Sequence, residues 1–279
     1  MHDPHALPGD DVVVAGVRLH VVRHGRDARA GCPPILLLHG LGTTRRLWSD
    51  VARDLEHDHR SIIPDLAGCG RSERPASARC SPAGQAEVML ELLSTLQCDS
   101  AVVAGHDVGG AVAVHMAAIA PERVAALVLV STPLHADAWP PPALTPWLVP
   151  GLRTVVDRVV RLRADLTGRA ASRVAGGELD ADTAESLRGV PPIAAGFDAE
   201  AAAAALDVVA AAPPPTLVLW GEDDTRLAPS YGARVAADVP GATWVPVAGA
   251  GHLLPLERPE RVAEEIAGFL ADVPAVAAG

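Results

Sequence analysis

Residues 104–110 read A-G-H-D-V-G-G, after the apolar run S-A-V-V and before the helical pattern A-V-A-V-H-M-A-A. A strand, Gly-x-Asp-x-Gly and then a helix force the central residue into a tight, strained turn whose side chain stands above the end of the sheet. Turns of this kind usually present a serine, but here the residue is Asp107. An aspartate that only caps the helix is the simpler explanation, yet a cap does not need small residues on both sides. We therefore interpret Asp107 as a candidate reactive residue.

Short apolar runs alternate with helical patterns on both sides of this turn. The pattern predicts an initial hairpin around Ala15-Gly16, with further strands at 34–39, 60–65, 124–130, 213–221 and 243–247 and helices at 81–97, 108–120, 199–212 and 257–271. Strands and helices that alternate in this way predict an α/β fold, with a mostly parallel sheet covered by helices on both faces.

The stretch 133–212 differs from the rest of the chain. It contains proline clusters and amphipathic helical pieces but no convincing strand. We expect a core built from residues 1–132 and 213–279, with residues 133–212 inserted as a helical cap.

Charge, hydropathy and cysteine spacing argue against several classes of partner and location. The formal net charge of −11 argues against nucleic acid and anionic membranes, and no apolar run approaches the roughly 20 residues that span a bilayer. The four cysteines lack the spacing of metal sites, and the first residues lack the features of a secretory signal. We expect a soluble, cytoplasmic protein that acts on a small molecule, as a monomer or a homodimer.

Two further polar motifs follow predicted strands. The loop G-E-D-D (221–224) carries Asp223 and Asp224, and the glycine-rich loop G-A-G-H (249–252) carries His252. Ligands of open α/β sheets lie at the carboxyl ends of the strands, where these loops meet Asp107. The chain order of nucleophile, acid and histidine is the one expected for one particular fold.

Taken together, the motifs resemble those of the α/β-hydrolase family over nearly the whole chain outside the predicted cap. L-L-L-H-G-L-G (36–42) is similar to the family's oxyanion loop, P-D-L-A-G-C-G-R-S (64–72) to its Asp-x-x-Gly-x-Gly-x-Ser loop, and G-H-L-L-P-L-E-R-P (251–259) to its histidine loop. The elbow resembles that of the epoxide hydrolase and haloalkane dehalogenase branch. The resemblance implies Asp107 as nucleophile, His252 as base and Asp224 as the acid, with Asp223 as the alternative.

A carboxylate nucleophile favours a particular chemistry. It is already ionised near neutral pH, and its attack on saturated carbon gives an alkyl ester, whereas attack on an acyl carbon would give a reactive anhydride. We expect Asp107 to open an epoxide or displace a halide, and a water activated by His252 to hydrolyse the ester. Backbone N–H groups of Leu41 and Val108 would hold the oxyanion. Neither a metal nor an organic cofactor is implied.

The sequence departs from the branch at the group that stabilises the leaving atom. The dehalogenases of this branch usually carry Trp after the Asp, where this chain has Val108. The epoxide hydrolases usually supply tyrosines from the cap, but the only tyrosine of this chain is Tyr231, outside the predicted cap. The candidate substitutes are Trp139, Trp147, His135 or an arginine of the cap. Two alternatives therefore remain open: an acid–base pair of Asp107 and His252 in a cyclase, lyase or isomerase, and a ligand-binding protein without catalysis.

Overall fold

Alternating side chains explain how the central strands are buried on both faces. In the run Ile35–Leu38, Leu36 and Leu38 pack into one apolar cluster while Ile35 and Leu37 pack into another on the opposite face. Successive side chains of a strand point to opposite faces, so a strand covered on both sides must be apolar throughout. This is the structural meaning of the continuous apolar runs in the sequence.

The computed structural model describes residues 7–26, 32–74, 77–139, 193–194 and 196–273. Its strands form one eight-stranded sheet in the order β1-β2-β4-β3-β5-β6-β7-β8. Their bounds are β1 Gly9–Val14, β2 Val17–His24, β3 Ile35–Leu38, β4 Ser61–Pro64, β5 Ala101–His106, β6 Val124–Val130, β7 Thr216–Gly221 and β8 Thr243–Val247. Strand β2 is antiparallel to β1 and β4, and all the other pairs are parallel. The predicted α/β fold with a mostly parallel sheet is confirmed.

Helices cover both faces of the sheet. In the described part of the chain they are α1 Ser49–Leu55, α2 Pro82–Thr95, α3 Val108–Ile119, α4 Ala199–Ala211, α5 Pro229–Asp238, α6 Leu254–Glu257 and α7 Pro259–Asp272. Helices α2 to α5 contribute to one apolar cluster, and α1 and α7 contribute to the other. Among these helices, none has the length and apolar character that crossing a membrane requires.

Three parts of the observed structure differ from the sequence pattern. Helices α1 and α5 were not predicted, and the expected C-terminal helix is two helices, α6 and α7, separated at Arg258. Pro259 follows Arg258, and a residue before proline is disfavoured in the helical region, so the chain leaves the helix there (Arg258 φ −142°).

Most of the predicted cap, residues 140–192, lies outside the described residues. Of its described part, α4 packs against α3, and its side chains Ala202, Leu206 and Val209 are buried in the shared cluster. The division into a core and a cap stays a prediction.

Candidate active site

Asp107 lies at the carboxyl end of β5, where the chain turns sharply into α3. Its backbone has φ 51° and ψ −122°, a conformation that costs a non-glycine residue about 1–3 kcal/mol and persists only where the surroundings enforce it. The close approach of the next turn requires small residues: a Cβ on Gly109 would lie 2.5 Å from the carbonyl oxygen of Leu38, and one on Gly110 would lie 2.0 Å from Thr132 Oγ1. The strained turn expected from the sequence is therefore present.

The Asp107 carboxylate is bound by the loop that follows β3. The backbone N–H of Leu41 donates to Asp107 Oδ2 at 2.9 Å. Burial raises the pKa of Asp107, and the positive charge of His252 and the N–H groups of Leu41 and Val108 oppose that rise only in part. The two N–H groups expected to form an oxyanion hole thus both act on the carboxylate of Asp107.

A buried histidine fixes the shape of this loop. His39 Nε2 accepts from the backbone N–H of Leu66 at 3.0 Å, so its proton resides on Nδ1, which donates to the carbonyl oxygen of Gly40 at 2.9 Å. Burial lowers the pKa of His39, which keeps the ring neutral in this role. A Cβ on Gly40 would lie 2.6 Å from Asp107 Cβ, so only glycine lets the loop come this close to the carboxylate.

His252 and Asp224 form the second pair of the site. His252 Nδ1 lies 2.8 Å from Asp224 Oδ2, while Asp224 Oδ1 accepts from the backbone N–H groups of Arg226 at 2.8 Å and Leu227 at 2.9 Å. Burial alone would raise the pKa of Asp224, but the hydrogen bond and charge of His252 and these two N–H groups hold it below its usual value. Asp223 is exposed, so the geometry pairs His252 with Asp224.

The environments of the two acids therefore push their pKa values apart. The pKa of Asp107 is raised and that of Asp224 is lowered. Such a separation is typical of sites in which two carboxyl groups have different chemical roles. Asp224 is suited to remain ionised and orient an imidazole, and Asp107 is suited to react.

The structure adds His106 and Arg226, which the sequence analysis did not single out. His106 Nε2 lies 2.8 Å from the carbonyl oxygen of His252. Arg226 is exposed, and its positive charge lowers the pKa of Asp107. Their sequence signals were only their positions, one residue before Asp107 and two residues after Asp224.

The side chains considered as donors to the leaving group make contacts outside the Asp107–His252–Asp224 set. Trp139 stacks on Phe197 with ring centroids 4.1 Å apart, His135 Nε2 lies 2.8 Å from Asp238 Oδ2, and the Tyr231 hydroxyl donates to the Asp137 carbonyl at 2.9 Å. Trp147 lies outside the described residues. His135 and Tyr231 thus form hydrogen bonds with groups other than Asp107.

The sheet order, the strained turn and the pairing of histidine with acid define an α/β hydrolase. Residues 33–259 match the α/β hydrolase fold family, and the chain belongs to it. It is 29% identical to the 2-hydroxymuconate semialdehyde hydrolase of Pseudomonas putida, over 99% of each chain. It is also 34% identical to an epoxide hydrolase of Caballeronia sordidicola, over 44% of this chain and 36% of that one.

Solved structures show the same fold. A thermophilic esterase from Thermogutta terrifontis superposes with a TM-score of 0.73 at 25% identity, covering 95% of this chain and 99% of the esterase. Several curated relatives match only in part: the chain spans 33% to 47% of the length of those that are 32% to 37% identical.

Proposed function

We propose that the protein is a hydrolase in which Asp107 attacks a saturated carbon of a small hydrophobic epoxide or alkyl halide. The observation that carries the proposal is the position of Asp107 Oδ2, bonded to the Leu41 N–H. With one oxygen in the oxyanion hole, the other is left to attack, and the hole is already in place for the ester carbonyl that forms. A serine in this turn would leave the hole for an oxygen of the substrate.

The first step forms a bond between an Asp107 carboxylate oxygen and the substrate carbon, while the carbon–oxygen or carbon–halogen bond breaks and its electron pair leaves with the oxygen or the halide. An epoxide oxygen also takes up a proton from solvent, and the Asp107 carboxyl group gives one back to solvent once the ester has been hydrolysed. In the second step, water attacks Asp107 Cγ and gives a proton to His252. The tetrahedral oxyanion, held by the N–H groups of Leu41 and Val108, then collapses and expels the alcohol, which takes the proton back.

The environments of the hydroxyls of Ser131 and Ser72 favour aspartate over serine as the nucleophile. Ser131, next to the site at the end of β6, is fully buried. The Ser72 hydroxyl donates to the Asp65 carbonyl at 2.6 Å. A serine esterase needs a histidine base bonded to the serine hydroxyl. In the described part of the chain Ser131 Oγ has no hydrogen-bond partner, and Ser72 Oγ also accepts from the backbone N–H of His20 at 2.9 Å. We also propose that residues 133–212 cover the site as a cap, with Trp139 and Trp147 as candidate contacts of the substrate.

The test is a His252→Gln variant, which cannot activate water. After incubation with styrene oxide or an alkyl bromide, intact-protein and peptide mass spectrometry should find the alkyl ester on Asp107. In the unmodified protein, turnover in ¹⁸O-labelled water should place the label in the Asp107 carboxylate. An Asp107→Ala variant is the control for adducts elsewhere.

A second candidate function rests on the raised pKa of Asp107. A carboxyl group with a raised pKa, close to an imidazole, is also suited to proton transfer in a cyclase, lyase or isomerase. Turnover with no adduct in His252→Gln and no label in Asp107 would exclude the alkyl ester and favour this function. If Asp107→Ala keeps full activity and ligand affinity, both catalytic proposals are wrong.

A further inference from the structure

His106, the last residue of β5, joins the elbow to the loop of the catalytic histidine. Its side chain is buried, and Nε2 lies 2.8 Å from the carbonyl oxygen of His252. A carbonyl oxygen only accepts, so Nε2 carries the proton and donates. The contact joins residues that are 146 positions apart in the chain. It fixes the main chain of His252, whereas Asp224 fixes the ring.

The other nitrogen of His106 has an unusual environment. Nδ1 is buried and has no hydrogen-bond partner within the described part of the chain. It faces the backbone of the oxyanion loop, where a Cβ on Gly40 would lie 2.7 Å away. A proton on Nδ1 would therefore be a buried donor without an acceptor, which costs about 1–3 kcal/mol. The surroundings thus select the neutral ring with its proton on Nε2.

The neutral state matters because the ring of His252 is close, with the two ring centroids 5.0 Å apart. Burial, together with the charge of His252, lowers the pKa of His106 to about 3. When His252 takes a proton from water, its positive charge then meets a neutral neighbour. Two imidazolium ions at this separation would repel each other and weaken the base.

We propose that His106 is a positioning residue that acts through His252, holding its backbone so that the imidazole addresses the water that hydrolyses the Asp107 ester. The proposal rests on the proposed function, since it assigns His106 to one of its two steps. Attack by Asp107 needs no proton transfer to His252. Loss of the His106 donor should therefore slow hydrolysis of the ester and leave its formation nearly unchanged.

Three substitutions separate the hydrogen bond from the packing. Glutamine places its amide N–H near the position of imidazole Nε2, asparagine places its amide near Nδ1, and phenylalanine keeps a ring without a donor. With styrene oxide as the probe, rapid quench and mass spectrometry give the rates of ester formation and of ester hydrolysis. We expect His106→Phe and His106→Asn to hydrolyse the ester about 10- to 100-fold more slowly, because small misplacements of a catalytic group cost up to about 100-fold. His106→Gln should stay within about threefold of the unmodified protein.

The proposal would be overturned if His106→Phe slowed both steps equally, or if His106→Gln lost as much as His106→Asn. The comparison of glutamine with asparagine remains decisive if the phenylalanine variant fails to fold, as judged by its urea unfolding curve. An independent readout is the NMR resonance of the His252 Nδ1–H proton that is bonded to Asp224. It should be retained in His106→Gln and broadened or shifted in His106→Asn.

The two proposals fail in different ways. If His252→Gln forms no adduct, the alkyl-ester function is wrong, and the NMR comparison alone decides the role of His106. If His252→Gln forms the adduct but the His106 variants hydrolyse it at the normal rate, the function stands and the role of His106 is wrong.

Discussion

Replacing Asp224 by asparagine should abolish the basic character of His252 with almost no change of shape. The asparagine oxygen can keep the hydrogen bonds from the N–H groups of Arg226 and Leu227, which now reach Asp224 Oδ1 at 2.8 and 2.9 Å. Its NH₂ group then occupies the position of Oδ2, 2.8 Å from His252 Nδ1. An NH₂ group donates, so Nδ1 must accept and the ring proton must move to Nε2.

With its proton on Nε2, the imidazole has no lone pair on the nitrogen that is not bound by residue 224, so it cannot take a proton from water there. The same change of tautomer in a serine protease triad lowers kcat by about 10⁴-fold, which corresponds to about 5.4 kcal/mol at 1.36 kcal/mol for each factor of ten. We expect a loss of about this size in hydrolysis of the Asp107 ester. Formation of the ester should continue, so Asp224→Asn should accumulate the adduct.

Asp223→Asn is the matched control for this experiment. It removes the same charge from the neighbouring position, but Asp223 is exposed, and its backbone N–H already bonds the Ala250 carbonyl at 2.9 Å. Single-turnover hydrolysis should change less than about threefold, as is usual for exposed charges. The reasoning is refuted if Asp224→Asn loses less than about tenfold, or if Asp223→Asn loses as much.

Three further results are expected. Because burial raises the pKa of Asp107, ester formation should slow on acidification at a higher pH than for an ordinary aspartate. Arg226→Gln removes a positive charge that lowers this pKa, so a stopped-flow pH profile of the variant should show the decline at a still higher pH. Gly109→Ala would place a Cβ 2.5 Å from a backbone carbonyl oxygen and should cost about 1–3 kcal/mol in urea unfolding, whereas Gly268→Ala, with nothing within 4 Å, should gain about 0.5–1 kcal/mol in its helix. Tyr231→Phe should keep turnover within about threefold, since its hydroxyl donates to a backbone carbonyl; a large loss would show that this hydroxyl serves the leaving group.

The central part of the fold was predictable because local pattern and global packing agree there. The run 124–130 is apolar at every position and is observed as β6. Serine is a preferred N-cap and proline a preferred first helical residue, and α2 begins in this way: Ser81 precedes Pro82, and its hydroxyl accepts from the Gly84 N–H at 3.1 Å. Helix α1 follows a short turn at Arg45–Trp48 and has only seven residues. A helix this short depends on tertiary packing for its stability, so its apolar pattern in the sequence is too weak to predict it.

The sequence singled out Asp107, Asp224 and His252 as candidates, but it could not show the contacts that these residues make. The sequence named both carboxylates of the acid loop and could not choose between them by physical argument alone. The choice between Asp223 and Asp224 depends on the turn in which Asp224 accepts hydrogen bonds from two backbone N–H groups. The sequence alone does not show which of the two carboxylates this turn directs inward. The bond from His106 to His252 depends on how two distant loops approach, which is likewise a property of the folded chain.

The leaving group sets the remaining requirement of the proposed chemistry. An epoxide oxygen or a halide gains negative charge as its bond to carbon breaks, and that charge needs a donor opposite Asp107. Val108 offers only its backbone N–H, which acts on the Asp107 carboxylate, and the Tyr231 hydroxyl and His135 Nε2 have partners of their own. The donor should therefore come from the proposed cap, with Trp139 and Trp147 as the first residues to replace. If the Trp139→Phe and Trp147→Phe variants both form the Asp107 ester at the normal rate, the donor is a different group. If either variant slows ester formation but not ester hydrolysis, the indole N–H of that tryptophan is the donor to the leaving group, the role that the side chain of Val108 cannot fill.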